Sequence, residues 1–160
     1  MSHYLITFLS ALTDAGSLFV AAAGLTLVFG ALRIINIAHG SFYAYGAFGV
    51  TTLVGAGGGR FWLALLAVPL AVAALGAAVE LTVLRRVYAR DHLVQLVVTY
   101  ALFLIFADLA LRLWGSQARS VPVPSALSGS VAIGGGQFPR YDLFVIGAAV
   151  VVGLALWALL

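Results

Sequence analysis

The chain has 160 residues, of which 64% are hydrophobic and 8% charged, with a mean hydropathy of +1.15. A soluble domain carries about 25% charged residues, so water cannot cover this surface all round, and lipid is the expected solvent. Eight arginines, five acids and no lysine give a net charge of +3 without a basic patch interleaved with aromatics, which excludes nucleic acid as a partner, and the lack of cysteine excludes a disulfide framework, a thiolate metal site and a cysteine nucleophile.

The opening Met-Ser-His-Tyr has no positively charged region ahead of its apolar run, so no cleaved signal peptide is predicted. Within residues 1–14, Leu5, Ile6, Phe8, Leu9 and Leu12 suit one helical face; this segment either lies in the interface or extends the first span. Five stretches are apolar enough to cross: Ala15 to Leu32, Gly40 to Ala56, Phe61 to Leu84, Leu93 to Trp114, and Leu143 to Leu160. Each approaches the roughly 20 residues that a helix needs to cross about 30 Å of hydrocarbon. Barrel strands would alternate polar and apolar residues, and these runs do not. The expected fold class is all-α, a polytopic transmembrane helical protein of about five spans with a possible N-terminal interfacial helix. A single transmembrane domain over 1–160 is expected, with residues 115–142 as a loop within it, and the lack of a positive flank after Leu160 predicts a chain incomplete at its C-terminus.

Sidedness follows from charge. Residues 85–92, RRVYARDH, hold three arginines in eight residues and are expected on the cytoplasmic side. Residues 115–142 are then extracytoplasmic. Pro122, Pro124 and Pro139 and the run Gly134 to Gly136 argue against a continuous helix there, and Val131 to Ile133 suit a short strand. The loop is equally compatible with a cap over a pathway and with a linker.

Small residues recur four apart, at Ala74 and Ala78, Ala73 and Ala77, and Gly40 and Ala44. In lipid such faces let helices pack closely, and Gly24, Gly30, Gly46, Ala74 and Ala78 are the candidate packing positions. Glu80 and Asp108 are possible intramembrane polar sites. Arg85 and Arg86 follow Glu80 closely enough to reach back at a helix end, and Arg112 stands at i, i+4 from Asp108, the spacing of an intrahelical ion pair. Each acid is open to a structural or a transport reading.

The most informative run is Gly24 to Gly49, GLTLVFGALRIINIAHGSFYAYGAFG. Asn36, His39 and Ser41 place polar groups where two apolar segments meet. Ser41 is a candidate helix cap, and Gly40 permits unusual backbone angles. The run suits a tight helical hairpin or a broken helix whose freed backbone groups touch a solute. On the second reading Asn36, Ala38, His39, Gly40 and Tyr43 form the substrate pathway. His39 has no second ligand at metal spacing, and Gly134 to Gly136 are not followed by Lys-Ser/Thr, so no metal, P-loop or cofactor is expected. No catalytic constellation is seen either, so the chain is not expected to be an enzyme, and active transport here would need another polypeptide or an ion gradient.

GLTLVFG, then LRIINIAHG, then Tyr45-Gly46-Ala47 resemble the permease subunits of branched-chain amino acid ABC importers, in particular the subunit with an early N-x-A-H-G signature. Glu80, Leu84-Arg85-Arg86-x-Tyr88, Asp91 to Gln95, Thr99, Trp114-Gly115 and Pro122 follow in the family's order, so the resemblance covers about Leu12 to Leu160. It implies a multi-pass subunit of the bacterial inner membrane, working with a second homologous permease, two cytoplasmic ATP-binding subunits and a periplasmic solute-binding protein. The family's ATPase-docking loop lies in the later half of a longer permease and is not found here. Leucine, isoleucine or valine is the implied substrate, and urea or a short amide is the alternative that the same family holds. Outside that family, an ion-coupled carrier or channel using Glu80 and Asp108 and a non-transporting membrane scaffold are the remaining readings.

Overall fold

A computed structural model describes residues 2–32, 36–55 and 60–159. Five helices dominate: α1 Ser2–Leu32, α2 His39–Val54, α3 Phe61–Thr82, α4 His92–Trp114 and α5 Arg140–Leu159. A 3-10 turn, Leu84–Arg86, follows α3, and a second, Ser125–Leu127, precedes strands β1 Ser130–Ile133 and β2 Gly136–Pro139. Helix closes every interior backbone hydrogen bond within one segment, which is what a hydrocarbon solvent demands. The fold is an all-α polytopic membrane fold, as expected.

Two boundaries are decided by the structure. Of the two readings open for the N-terminal segment, extension of the first span holds and a separate interfacial helix does not: residues 2–14 run on into α1, and the stretch apolar enough to cross begins at Tyr4 and ends at Val28. One charge, Asp14, does not interrupt a helix in which Thr13 and Ser17 return their hydroxyls to the carbonyls of Leu9 and Thr13. Second, α2 has 16 residues, about 24 Å of helix, which is short of the roughly 30 Å core. Four helices among the described residues, α1, α3, α4 and α5, are long and apolar enough to span.

The chain divides into two compact units, Met1–Thr26 with Val123–Leu160, and Leu27–Pro122. In the first, β1 and β2 pair antiparallel with Ser130 opposite Pro139 and Ile133 opposite Gly136. Gly134 and Gly135 form the two-residue turn at φ +57° and +87°, a left-handed pair that a tight hairpin favours and that glycine supplies without strain. The turn lies against the start of α1: a Cβ added at Gly134 would stand 2.8 Å from Leu5 Cδ2. Phe138 is buried, and its strand hands directly to α5. Gly16 on α1 and Ala149 on α5 meet closely enough that a Cβ on Gly16 would be 3.0 Å from the Ala149 methyl.

In the second unit α2 packs on both α3 and α4. Its core comprises Ala38, Val79, Leu84 and Phe106, bordered by Phe42, Tyr45, Tyr88, Leu102 and Phe103. Pro69 sits inside α3, where its missing N–H frees one carbonyl. Gly55 and Gly115, at φ +58° and +75°, end α2 and α4.

The tightest α2–α3 approach is at Gly49, where an added Cβ would lie 3.0 Å from Val68 Cγ1. Gly49→Leu is therefore expected to lower the unfolding free energy by about 1–3 kcal/mol through overpacking, measured by equilibrium unfolding in mixed micelles. Gly46→Ala, where nothing lies within 4 Å, is expected to cause no loss. Equal stability of Gly49→Leu and the parent would contradict this contact.

Candidate functional site

The candidate site is the corner that starts α2. Residues 33–35 lie outside the described residues, so Arg33, Ile34 and Ile35 of the motif are not placed. From Asn36 on, the backbone is closely organised. The Asn36 side-chain oxygen accepts from the Ala38 N–H at 3.1 Å, and the Asn36 carbonyl accepts from the His39 N–H at 3.1 Å. Asparagine is suited to such a turn because its short side chain supplies the acceptor that a helix start lacks. The Ala38 carbonyl in turn accepts from the Ser41 N–H at 3.0 Å. Asn36, not Ser41, thus organises the helix start.

Ser41 makes no capping bond, as a cap was expected to do; it lies inside α2 with its side chain buried. Gly40 is also helical and is not among the glycines with positive φ, so no unusual backbone angle is needed there. Ala38, expected on a pathway, is 0% exposed and packs in the core with Val79, Leu84 and Phe106. Fully enclosed in that core, Ala38 anchors the corner. Asn36 and His39 are half-buried, Gly40 is exposed, and Tyr43 is 69% exposed. Of the five candidate pathway residues, these four present surface.

A stripe on α2 holds the corner to α4. Phe42 and Tyr45 contact the Phe106 ring with centroids 5.4 and 5.6 Å apart. The Tyr45 hydroxyl donates to the Phe106 carbonyl at 3.1 Å. Further along, Phe48 stacks on Trp114 at 5.2 Å and 10°, Tyr45 meets the same indole edge-on, and the Trp114 N–H donates to the Thr52 hydroxyl at 2.8 Å. Aromatic pairs contribute about 0.5–1.5 kcal/mol each beyond burial, so this clasp outweighs any single hydrogen bond in the unit. The sequence reading cited Tyr45 and Trp114 for the family resemblance alone and did not single out the clasp they form with Phe42, Phe48, Thr52 and Phe106. Their signal is the spacing of 42, 45, 48 and 52, one face of a helix.

The candidate packing positions are spread differently from the expectation. A Cβ at Gly30 or Gly46 would meet nothing within 4 Å, Gly24 is half-buried, and Ala74 and Ala78 are exposed. The close approaches fall at Gly16 and Gly49 instead.

Both intramembrane acids have partners. Asp108 and Arg112 form the i, i+4 ion pair at 2.8 Å, on an exposed face. Glu80 accepts a hydrogen bond from the Tyr88 hydroxyl, eight residues on, because the Leu84–Arg86 turn brings the chain back. Arg85 and Arg86 are exposed, and no ion pair joins either to Glu80 among the described residues. Gln95, buried at the start of α4, donates to the carbonyls of Tyr88 and Arg90 at 3.2 and 2.8 Å and so fastens the same loop. No group of three metal-ligating side chains converges among the described residues.

Burial, and then the hydrogen bond to Glu80, raise the Tyr88 hydroxyl above its usual pKa of about 10. Because the folded state favours the protonated phenol, this stabilisation is fully present below pH of about 10 and is lost as pH rises beyond it. Stability measured in alkaline buffers is expected to fall for the parent and to fall less for Tyr88→Phe. Parallel pH profiles for the two would contradict the Tyr88–Glu80 bond.

No curated protein and no solved structure matches the chain. The family described as branched-chain amino acid transport system / permease component matches residues 7–160, a span that takes in the Asn36–Gly40 corner, the α2–α4 clasp, the hairpin and α5. With four helices able to span, the chain is a multi-pass membrane protein and belongs to the branched-chain amino acid transport permease family.

Proposed function

We propose that the chain is a membrane subunit of an ABC importer that carries branched-chain amino acids across the bacterial inner membrane. Family membership supports the permease role. The observation that carries the site is the polar corner Asn36–Ser41, fixed by Ala38 in the core and by the α2 clasp on α4, in a chain otherwise walled by carbon. A short helix whose polar start is held against a spanning helix gives a solute local hydrogen-bonding groups without exposing backbone to lipid.

On this reading Asn36, His39, Gly40 and Tyr43 border the pathway and Ala38 positions them. Opening alternates between the two sides as the subunit moves against a second, homologous permease. A periplasmic solute-binding protein delivers the amino acid, and two cytoplasmic subunits hydrolyse ATP. The Arg85–Arg90 loop faces the cytoplasm, and residues 115–142 face the periplasm. Glu80 and Asp108 serve as structural polar groups, each satisfied by its own neighbour.

Cells that lack the gene are expected to regain uptake of labelled leucine when the full reading frame is restored together with its partners, and excess urea is expected not to compete. His39→Ala is expected to lower that uptake at unchanged membrane insertion. Competition by urea would move the substrate to urea or amides. Uptake that survives ATP depletion and collapses with the ion gradient would contradict the ABC reading.

A further inference from the structure

Asp14 is a third acid within a membrane span, beside Glu80 and Asp108, and the chain treats it differently. It lies inside the stretch of α1 that is apolar enough to cross, Tyr4–Val28, about 15 Å of helix past Tyr4 at 1.5 Å per residue. Packing within the same unit fixes the depth independently. Gly16 stands against Ala149 and Gly153 against the Phe19 ring, so α1 and α5 run side by side in the same direction. Asp14 is then near the level of Gly147, about two turns inside the start of α5 at Arg140.

Glu80 accepts from the Tyr88 hydroxyl, and Asp108 pairs with Arg112. The Asp14 carboxylate has neither a hydrogen bond nor an ion pair among the described residues. It is exposed, and Gly16, the contact to α5, stands roughly 160° away round the helix, so α5 does not supply a partner. The adjacent hydroxyls of Thr13 and Ser17 are committed to the carbonyls of Leu9 and Thr13. A carboxylate facing hydrocarbon at this depth is costly, and its single methylene is too short to carry it to the headgroups as a long side chain would.

Charge selects the missing group, a cation at the same depth. This chain does not offer one. Every described arginine and histidine lies at a helix end or in a loop, and Arg112 is held by Asp108 as well. A second copy laid against its own α1 would set carboxylate against carboxylate, which is repulsive. On the Asp14 face of α1 stand Ser10, Ala11, Ser17 and Ala21, three, four or seven positions away. Side chains this small let a second helix lie close.

We propose that this face of α1 docks a transmembrane helix of another subunit that carries an arginine or lysine level with Asp14, and that the two close an ion pair within the membrane. The inference rests on and deepens the reading that this chain works beside a second permease, by naming the contact. Failure of that reading shows in uptake, and failure of this one shows in assembly.

The test uses membranes of cells that express the full reading frame with its partners. Benzoylphenylalanine is introduced at Leu18, exposed and on the Asp14 face, or at Val20, roughly 120° round the helix from Asp14, as the control. After illumination, Leu18 is expected to give adducts to one membrane helix with an arginine or lysine within about one turn of the attachment site, mapped by mass spectrometry. Asp14→Asn is expected to lower that adduct and co-purification of the partner about tenfold, while the chain inserts in the membrane as well as the parent. Asp14→Arg combined with reversal of the mapped basic residue to aspartate is expected to restore both. Adducts to lipid alone, adducts to a helix without a basic residue, adducts no more frequent at Leu18 than at Val20, or a double reversal that restores nothing would each overturn the proposal. So would equal assembly of Asp14→Asn and the parent, the result expected if water in a cavity, and not a cation, satisfies Asp14.

Discussion

Hydrocarbon supplies no hydrogen-bond donor or acceptor, and that constraint shapes each element of this chain. Long helices close their own backbone. Hydroxyls along α1 and α3 fold back on carbonyls a turn earlier. The ion pair of α4, Asp108 with Arg112, is made within a single helix. Where helix stops, as between α3 and α4, side chains complete the set: Gln95 holds two loop carbonyls, and Tyr88 and Glu80 satisfy each other. The ends of the polar segments are thus tied down by residues that the chain itself carries.

The same constraint bears most on α2, where the proposed pathway lies. At 16 residues it does not reach across the hydrocarbon, so its polar start needs a protein neighbour. Asn36 satisfies the first turn, and Phe106 and Trp114 of α4 hold the helix by ring contacts and two hydrogen bonds. The result is a fixed corner with Asn36, His39, Gly40 and Tyr43 at or near its surface, in a family whose members are permeases. Ala38 shows how closely the corner is fitted: the residue inside the motif that looked like lining is the peg that seats it.

Much of this architecture is legible in the sequence, for a physical reason. Hydropathy alone marks α3, α4 and α5 to within a few residues, since a membrane helix is selected on composition more than on partners. The hairpin is legible in part: Val131 to Ile133 read as a strand, and the paired glycines at 134 and 135 are what its tight turn requires. The intrahelical pair Asp108–Arg112 follows from spacing. Contacts set by packing do not follow. Tyr45 and the Phe106 carbonyl are 61 positions apart, and Glu80 meets Tyr88 only because a 3-10 turn reverses the chain. The small-residue faces illustrate the limit: spacing flags Ala74 and Ala78, yet the close approaches fall at Gly16 and Gly49, because spacing says which residues share a face and not which face finds a neighbour.

The chain has no cysteine, so single cysteines can be introduced as unambiguous reporters of what the corner faces. The most direct measurement is the rate at which a membrane-impermeant thiol reagent modifies cysteine at His39, Tyr43, Ala38 and Leu104 in the assembled transporter, with and without leucine. The account predicts modification at His39 and Tyr43 that leucine slows, and none at buried Ala38 or at Leu104 on the apolar surface of α4. Equal rates at all four positions, or modification at His39 and Tyr43 that leucine leaves unchanged, would contradict a solute pathway at this corner.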